Sequence, residues 1–407
     1  MIKQIISRAS RWSVGSIYNK SQGKVIMAMN FSKVEQFMNE MPLRGVPGCE
    51  LAVTKNGETV YRKVVGYADA EMKRPLSGKD ISWIFSCSKV ITCLGAMRLV
   101  EEGKIALGDP VSKYIPEFEH MKIRDKKTGV ITDATIPMTV EHLFTMCGGM
   151  NYDIASQPIK DTIAAGKTST LDIVKAMAQM PLSFEPGTHY QYSLCHDVLA
   201  AVVEVVSGMK FSEFLQKYMF DPLGLKDIGF RPTEEQLSRF CDQFKYKNGT
   251  NKAIPHGPIS NSYMLTPEYD SGGAGLFSTV DDYMRIITVI ANGGKTEDGY
   301  SLLRPETIEL FTVNRLCDDA LNDFAVSRLY GYGWGLCGRV HRDPIVSCSK
   351  APVGEFGWDG AAGSFSMVDP INKVALYFGF NLFSLVYGYN FLHPYIRNMV
   401  YEALEAN

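Results

Sequence analysis

Ser86-Cys87-Ser88-Lys89 stands where a β-rich run, Ile81 to Phe85, gives way to a helical pattern from Lys89 to Glu102. A helix turns by about 100° per residue, so a residue three positions on returns to within about 60° of the first. The spacing therefore predicts that the Lys89 ammonium reaches the Ser86 hydroxyl. A serine hydroxyl becomes an effective nucleophile only when a neighbouring base takes its proton. Lysine can be that base where apolar surroundings favour its neutral form, and Trp83, Ile84, Phe85, Val90 and Ile91 supply such surroundings. The helix N-terminus adds a dipole that favours a developing oxyanion. The chain carries its own control in Ser347-Cys348-Ser349-Lys350, the identical tetrapeptide. Ala351-Pro352 follows it, so no helix begins there and the segment reads as a surface loop.

Two further groups have the right chemistry. Tyr192 ends an extended, aromatic-rich stretch after the Pro186-Gly187 turn, just ahead of a helix that starts near His196. Taken alone it reads as an ordinary core tyrosine. Phe356 to Gly363 is rich in glycine and alanine and leads into a strand at Ser364. Such small residues admit a ligand close to the backbone, where a free N–H can donate to an oxyanion. Cys87 is rotated about 100° from Ser86 and reads as a buried packing residue. His196-Asp197 reads as a helix start and not as a ligand pair. The chain has no GxSxG elbow, no HExxH and no GxGxxG after a strand, which leaves no sign of an α/β-hydrolase site, a zinc site or a dinucleotide site.

The elements that must hold these groups follow from periodicity. Ser32 with Glu35 has capping-box spacing, and Val34, Phe37, Met38 and Met41 then recur on one helix face. Asn56-Gly57 between two β-rich runs predicts a hairpin. From about residue 105 to 265 the chain reads as helices and long loops without a strand, the clearest helices being Thr139 to Phe144, Leu171 to Met180 and His196 to Val206. Strand patterns return after Gly272, and a helix from Phe391 to Glu405 closes the chain. β elements at both ends with helices between predict an α/β (α+β) fold. Residues 31–104 and 271–407 then form an α/β lobe around one antiparallel sheet, and residues 105–270 form an inserted helical lobe. The site lies in the cleft between them.

Composition limits the function from another side. Across 407 residues, 42 basic side chains face 44 acidic ones, a formal net charge of −2. That balance gives no reason to expect nucleic acid as a partner. With 45% hydrophobic and 21% charged residues, disorder, collagen and coiled coil are excluded as overall descriptions. No stretch approaches the ~20 apolar residues of a membrane span. The nine cysteines follow no disulfide or zinc spacing, so free thiols in the cytoplasm are expected. Residues 1–30 carry Lys3, Arg8, Arg11, Lys20 and Lys24 and no acid. They read as a basic extension outside the fold, with a short helix resting on a membrane surface as the alternative.

In this order the motifs resemble the serine β-lactamase and penicillin-binding-protein superfamily, above all its class C β-lactamase branch and the family VIII carboxylesterases. Thr139 to Gly149, Asp221 to Leu225 and Ser271 to Asp282 are similar to further family stretches, so the resemblance spans about residues 35 to 400. It implies that Ser86 is acylated, that Lys89 and Tyr192 share the proton transfers, and that the N–H groups of Ser86 and Ala361 form the oxyanion hole. No cofactor or metal is implied. Two departures concern substrate. Leu194 replaces the asparagine of the family's Tyr-x-Asn element, and Trp358, ahead of Gly360, replaces the lysine of Lys-Thr-Gly, which attracts a substrate carboxylate. Trp358, with Trp334 and Tyr332 nearby, implies a small, uncharged ester and the esterase branch. Asp359 further discourages an anion if it faces the site. The expectation is a serine acyl hydrolase acting on esters through an acyl-enzyme. The alternatives are an acyltransferase using the same intermediate with an alcohol or amine acceptor, and a β-lactamase or D-amino-acid peptidase.

Overall fold

The structure, a computed structural model, describes residues 29–405 except positions 258, 328 and 386. Most of the basic extension expected over residues 1–30 therefore lies outside the described residues. Asn56 and Gly57 adopt φ of 53° and 89°, the left-handed pair a two-residue hairpin turn requires. The strands they join, Gly48–Lys55 and Glu58–Gly66, pair antiparallel, with Gly48 opposite Gly66. The other edge of Gly48–Lys55 takes Val374–Phe380, with Cys49 opposite Phe380. Beyond it lie Phe365–Asp369, Phe356–Gly357, Gly338–His341 and Tyr332–Gly335, which complete a seven-stranded sheet. Every pairing in this sheet is antiparallel, and the two ends of the chain build it together.

Successive strand side chains point to opposite faces, and the sheet sorts its partners accordingly. Leu51, Val53, Leu376 and Phe378 pack with Val34, Phe37 and Met38 of the helix Ser32–Glu40 and with Ile396 and Val400 of the last helix, His393–Glu405. Ala52 and Ala375 face the opposite way, into a larger core with Val90, Leu94, Ile286 and Ile290. These come from the helices Ser88–Glu101 and Val280–Ala291.

Three expectations need correction. The helix Ser32–Glu40 has no capping box, because Glu35 bonds Lys63 at 2.5 Å and Tyr61 at 3.0 Å across the sheet edge. The middle of the chain does contain strands: Lys122–Arg124 pairs with Ile131–Asp133, and Phe244–Lys247 with Lys252–Pro255. Strands of three or four residues are too short for alternation to declare them. The last helix starts at His393, after a wide π-type turn over Gly388–Leu392. The helices Val140–Phe144, Thr170–Met177 and Cys195–Ser207 lie where expected. Of the second tetrapeptide only Ser347 is helical, as the last residue of the single turn Pro344–Ser347; left-handed Cys348 ends that turn, and no helix carries on to Lys350. Among the described residues no helix is long and apolar enough to cross a membrane.

Candidate active site

Ser86 stands at a sharp junction. The strand Ser82–Trp83 pairs with Phe277–Ser278, a single helical turn over Phe85–Cys87 follows, and the helix Ser88–Glu101 begins. Phe85 is held at φ 46°, a left-handed conformation costing a non-glycine residue roughly 1–3 kcal/mol. Edge-on packing against Phe383 and Tyr263 secures its ring. Lys89, one turn along, is 1% exposed. Its Nζ lies 3.3 Å from Ser86 Oγ, as the spacing predicted, and donates to the carbonyl of Gly273 at 2.7 Å.

The phenol that accepts a hydrogen bond from this ammonium was not foreseen. Lys89 Nζ donates to Tyr152 Oη at 3.3 Å, while Tyr192 Oη accepts from the indole N–H of Trp358 at 3.0 Å. Tyr192 still lies over the ammonium, with 4.6 Å from Nζ to its ring centre. The two tyrosine rings stack in parallel, 5.5 Å apart and 5° from coplanar. Burial, reinforced by Tyr192 and Asp197, pushes the Tyr152 phenol well above the usual tyrosine range. Tyr152 sits in the irregular stretch between Gly149 and Ser156, where no periodicity marks it.

A second unforeseen group is Asp197, buried at 1% exposure in the first turn of Cys195–Ser207. Its Oδ1 accepts from Tyr269 Oη and Ser271 Oγ, each at 2.7 Å. Its Oδ2 faces Gly273: a β-carbon there would lie 2.5 Å from Oδ2 and 3.3 Å from Lys89 Nζ. The glycine thus lets a buried carboxylate and the site ammonium approach the same stretch of backbone. Asp197 is more than a helix start, and Gly273 explains one of the small residues in Ser271 to Leu276.

The third motif closes the site. Trp358, Gly360 and Ala361 line a cleft of about 330 Å³ with Ser86, Tyr152, Tyr192, Tyr263, Asp359 and Tyr389. Ser366 Oγ and Ser364 Oγ donate to the carbonyls of Trp358 and Ile84 respectively, tying the motif to the nucleophile turn. Cys87 packs between them, 3.3 Å from Ser364 Oγ, and burial pushes its thiol up to about 12, which fits a packing role. Asp359 borders the cleft, but its Oδ1 is turned to Arg339 at 3.5 Å and to His393 Nδ1 at 3.3 Å. Its charge is therefore engaged from behind. Leu194 and Trp334 fall outside the cleft lining: Leu194 is buried at the start of Cys195–Ser207, and Trp334 packs edge-on against Trp358 with its indole N–H on the carbonyl of Phe144. Tyr332 packs at a tilt against His341, also away from the cleft. All nine cysteines are free, and seven are buried. Among the described residues no group of three or more His, Cys, Asp or Glu is placed to hold a metal ion.

The family model Beta-lactamase matches residues 32–389. Esterase EstB of Burkholderia gladioli is 30% identical over 354 residues, covering 80% of this chain and 83% of the esterase. EstCE1, a hydrolase with promiscuous acyltransferase activity, has a similar structure with a TM-score of 0.75 at 24% identity, covering 92% of this chain and 98% of its own. Simvastatin synthase (LovD) from Aspergillus terreus gives a TM-score of 0.77 at 18% identity, again with 92% and 98% covered. At these identities the two structures show a shared fold and nothing finer.

Proposed function

The chain belongs to the beta-lactamase family and is a serine hydrolase, and from that premise we propose that it cleaves small, uncharged carboxylic esters through an acyl-enzyme on Ser86. The observation that carries the reading is Lys89 Nζ, 3.3 Å from Ser86 Oγ at the base of a cleft walled by tyrosines and Trp358. Ser86 Oγ attacks the ester carbonyl while its proton passes to the group formed by Lys89, Tyr152 and Tyr192. The N–H groups of Ser86 and Ala361 take the oxyanion. Collapse expels the alcohol, which leaves with that proton. Water then adds to the acyl carbon, returns a proton to Ser86 and releases the acid. The aromatic wall supports an uncharged, flat or apolar substrate group, since Trp358 offers an indole where a carboxylate would need a cation. Nine free thiols support a reducing, cytoplasmic setting.

Acyl transfer to an alcohol is the second reading, favoured by the likeness to EstCE1, whose description includes promiscuous acyltransferase activity. Either reading predicts p-nitrophenyl ester turnover and a single fluorophosphonate adduct, on Ser86, in intact mass and peptide mapping. Ser86→Ala is expected to lose at least about 10³-fold in kcat. Labelling elsewhere, or full activity in Ser86→Ala, would sink both. Adding alcohols and measuring ester exchange separates them.

A further inference from the structure

The oxyanion donor assigned to Ala361 sits in a tight turn, with Gly363 N–H on the carbonyl of Gly360 at 2.9 Å and Gly360 N–H on that of Ser364 at 2.7 Å. One side of the turn rests on the nucleophile junction. A β-carbon on Gly360 would lie 2.5 Å from the carbonyl oxygen of Ile84, two residues before Ser86. The C-terminal segment holds the other side. Tyr389 Oη lies 2.9 Å from the carbonyl oxygen of Gly360 and 3.1 Å from that of Ala361, and His393 Nε2 donates to that of Gly363 at 3.0 Å. His393 is buried, stacked on Phe365 at 4.8 Å, and its Nδ1 faces the Asp359 carboxylate, which Arg339 also approaches.

Across a trans peptide the C=O and N–H point in opposite directions. Holding the Gly360 oxygen therefore fixes the direction of the Ala361 N–H in the same peptide plane. We propose that Tyr389 and His393 are positioning residues that aim the Ala361 N–H, so that a pair of side chains from the C-terminal turn and helix sets the geometry of the oxyanion hole. The proposal rests on the acyl-enzyme reading. An oxyanion-hole donor acts only on charge that develops in the transition state, so misaiming it lowers kcat and leaves ground-state binding alone.

The test uses the full chain, with Tyr389→Phe to remove only the hydroxyl while keeping the ring in the cleft wall. His393→Leu and His393→Gln remove and retain a donor near the Gly363 oxygen. The probe is phenylboronic acid: Ser86 Oγ bonds to boron, its proton passes to the Lys89–tyrosine group, and the resulting tetrahedral boronate bears the negative charge with one of its hydroxyls in the oxyanion hole. In Tyr389→Phe, kcat on p-nitrophenyl acetate and affinity for the boronic acid should fall together, by about 10- to 100-fold, with KM within about threefold. His393→Leu should do the same, and His393→Gln should recover most of the loss. Unchanged boronic acid affinity in both Tyr389→Phe and His393→Leu would overturn the proposal, as would a rise in KM with kcat preserved. A wild-type chain that takes no fluorophosphonate on Ser86 would instead overturn the acyl-enzyme reading beneath it.

Discussion

Two phenols stand beside one ammonium, and their hydrogen bonds give them different tasks. Tyr192 is tied to Trp358, and Tyr152 holds Lys89 directly. On the proposed mechanism, Tyr152 Oη is the hydroxyl hydrogen-bonded to Lys89 and so the one placed to relay the Ser86 proton. Tyr152→Phe keeps the stacked pair and removes only that hydroxyl, so it should cost kcat about 10²-fold or more with KM little changed. Tyr192→Phe also frees the Trp358 indole N–H, so KM should move as well as kcat. Steady-state kinetics on one p-nitrophenyl ester series checks both; equal kcat in Tyr152→Phe and wild type would remove Tyr152 from the relay. Ser86 and Lys89 were legible because their meeting is local, three residues apart on one turn. Tyr152 was not, because only tertiary packing brings position 152 to position 89. Asp197 was visible as a residue type at a helix start, but nothing nearby in the chain announces that its carboxylate turns inward to Gly273.

At the scale of elements, legibility again follows the range of the interaction. Asn56-Gly57 specifies its turn from two residues, and the hairpin forms as read. Ser32 and Glu35 also have a local signature, yet Lys63 and Tyr61 outcompete the backbone for the glutamate. The segment Ser271 to Leu276 is a connection whose sequence looks merely flexible, and its glycines answer to neighbours from other elements. Gly273→Ala should test this. The added methyl meets Asp197 Oδ2, which Tyr269 and Ser271 restrain through the other oxygen, and crowds Lys89 Nζ. We expect a stability loss of about 1–3 kcal/mol by urea unfolding. We also expect kcat to fall by about 10-fold or more, because the ammonium shifts from Ser86. A variant destabilised as expected but fully active would show that Lys89 tolerates the displacement.

Over the whole molecule, two groups on the helix Cys195–Ser207, the buried His196 and the half-buried Glu204, tie stability to pH with opposite signs. Burial, aided by the charge of Lys89, lowers His196 to about 3, and the ring bonds the carbonyl of Phe144 at 3.1 Å. The unfolded chain then binds the extra proton between about pH 6.5 and 3. Stability from this group is present above the ordinary histidine value and is lost as pH falls. Glu204 is the reverse. Burial raises it to about 7, against the N–H of Phe211, which it accepts at 2.9 Å, and with Asp270 pushing the same way as burial. Here the folded chain keeps the proton longer, so stability is full below about pH 4.5 and is lost as pH rises towards 7. The two slopes overlap between about pH 4.5 and 6.5, where each hides part of the other, and single substitutions separate them. Glu204→Gln keeps an oxygen for Phe211 without a titrating charge. Relative to wild type it should leave stability unchanged near pH 4 and gain on the order of 1–2 kcal/mol near pH 8. His196→Gln should instead reduce the loss on acidification below pH 6. Urea midpoints at half-unit intervals from pH 4 to 8 read both effects. A Glu204→Gln variant whose profile runs parallel to wild type throughout would mean that this carboxyl ionises equally easily in the folded and unfolded chain.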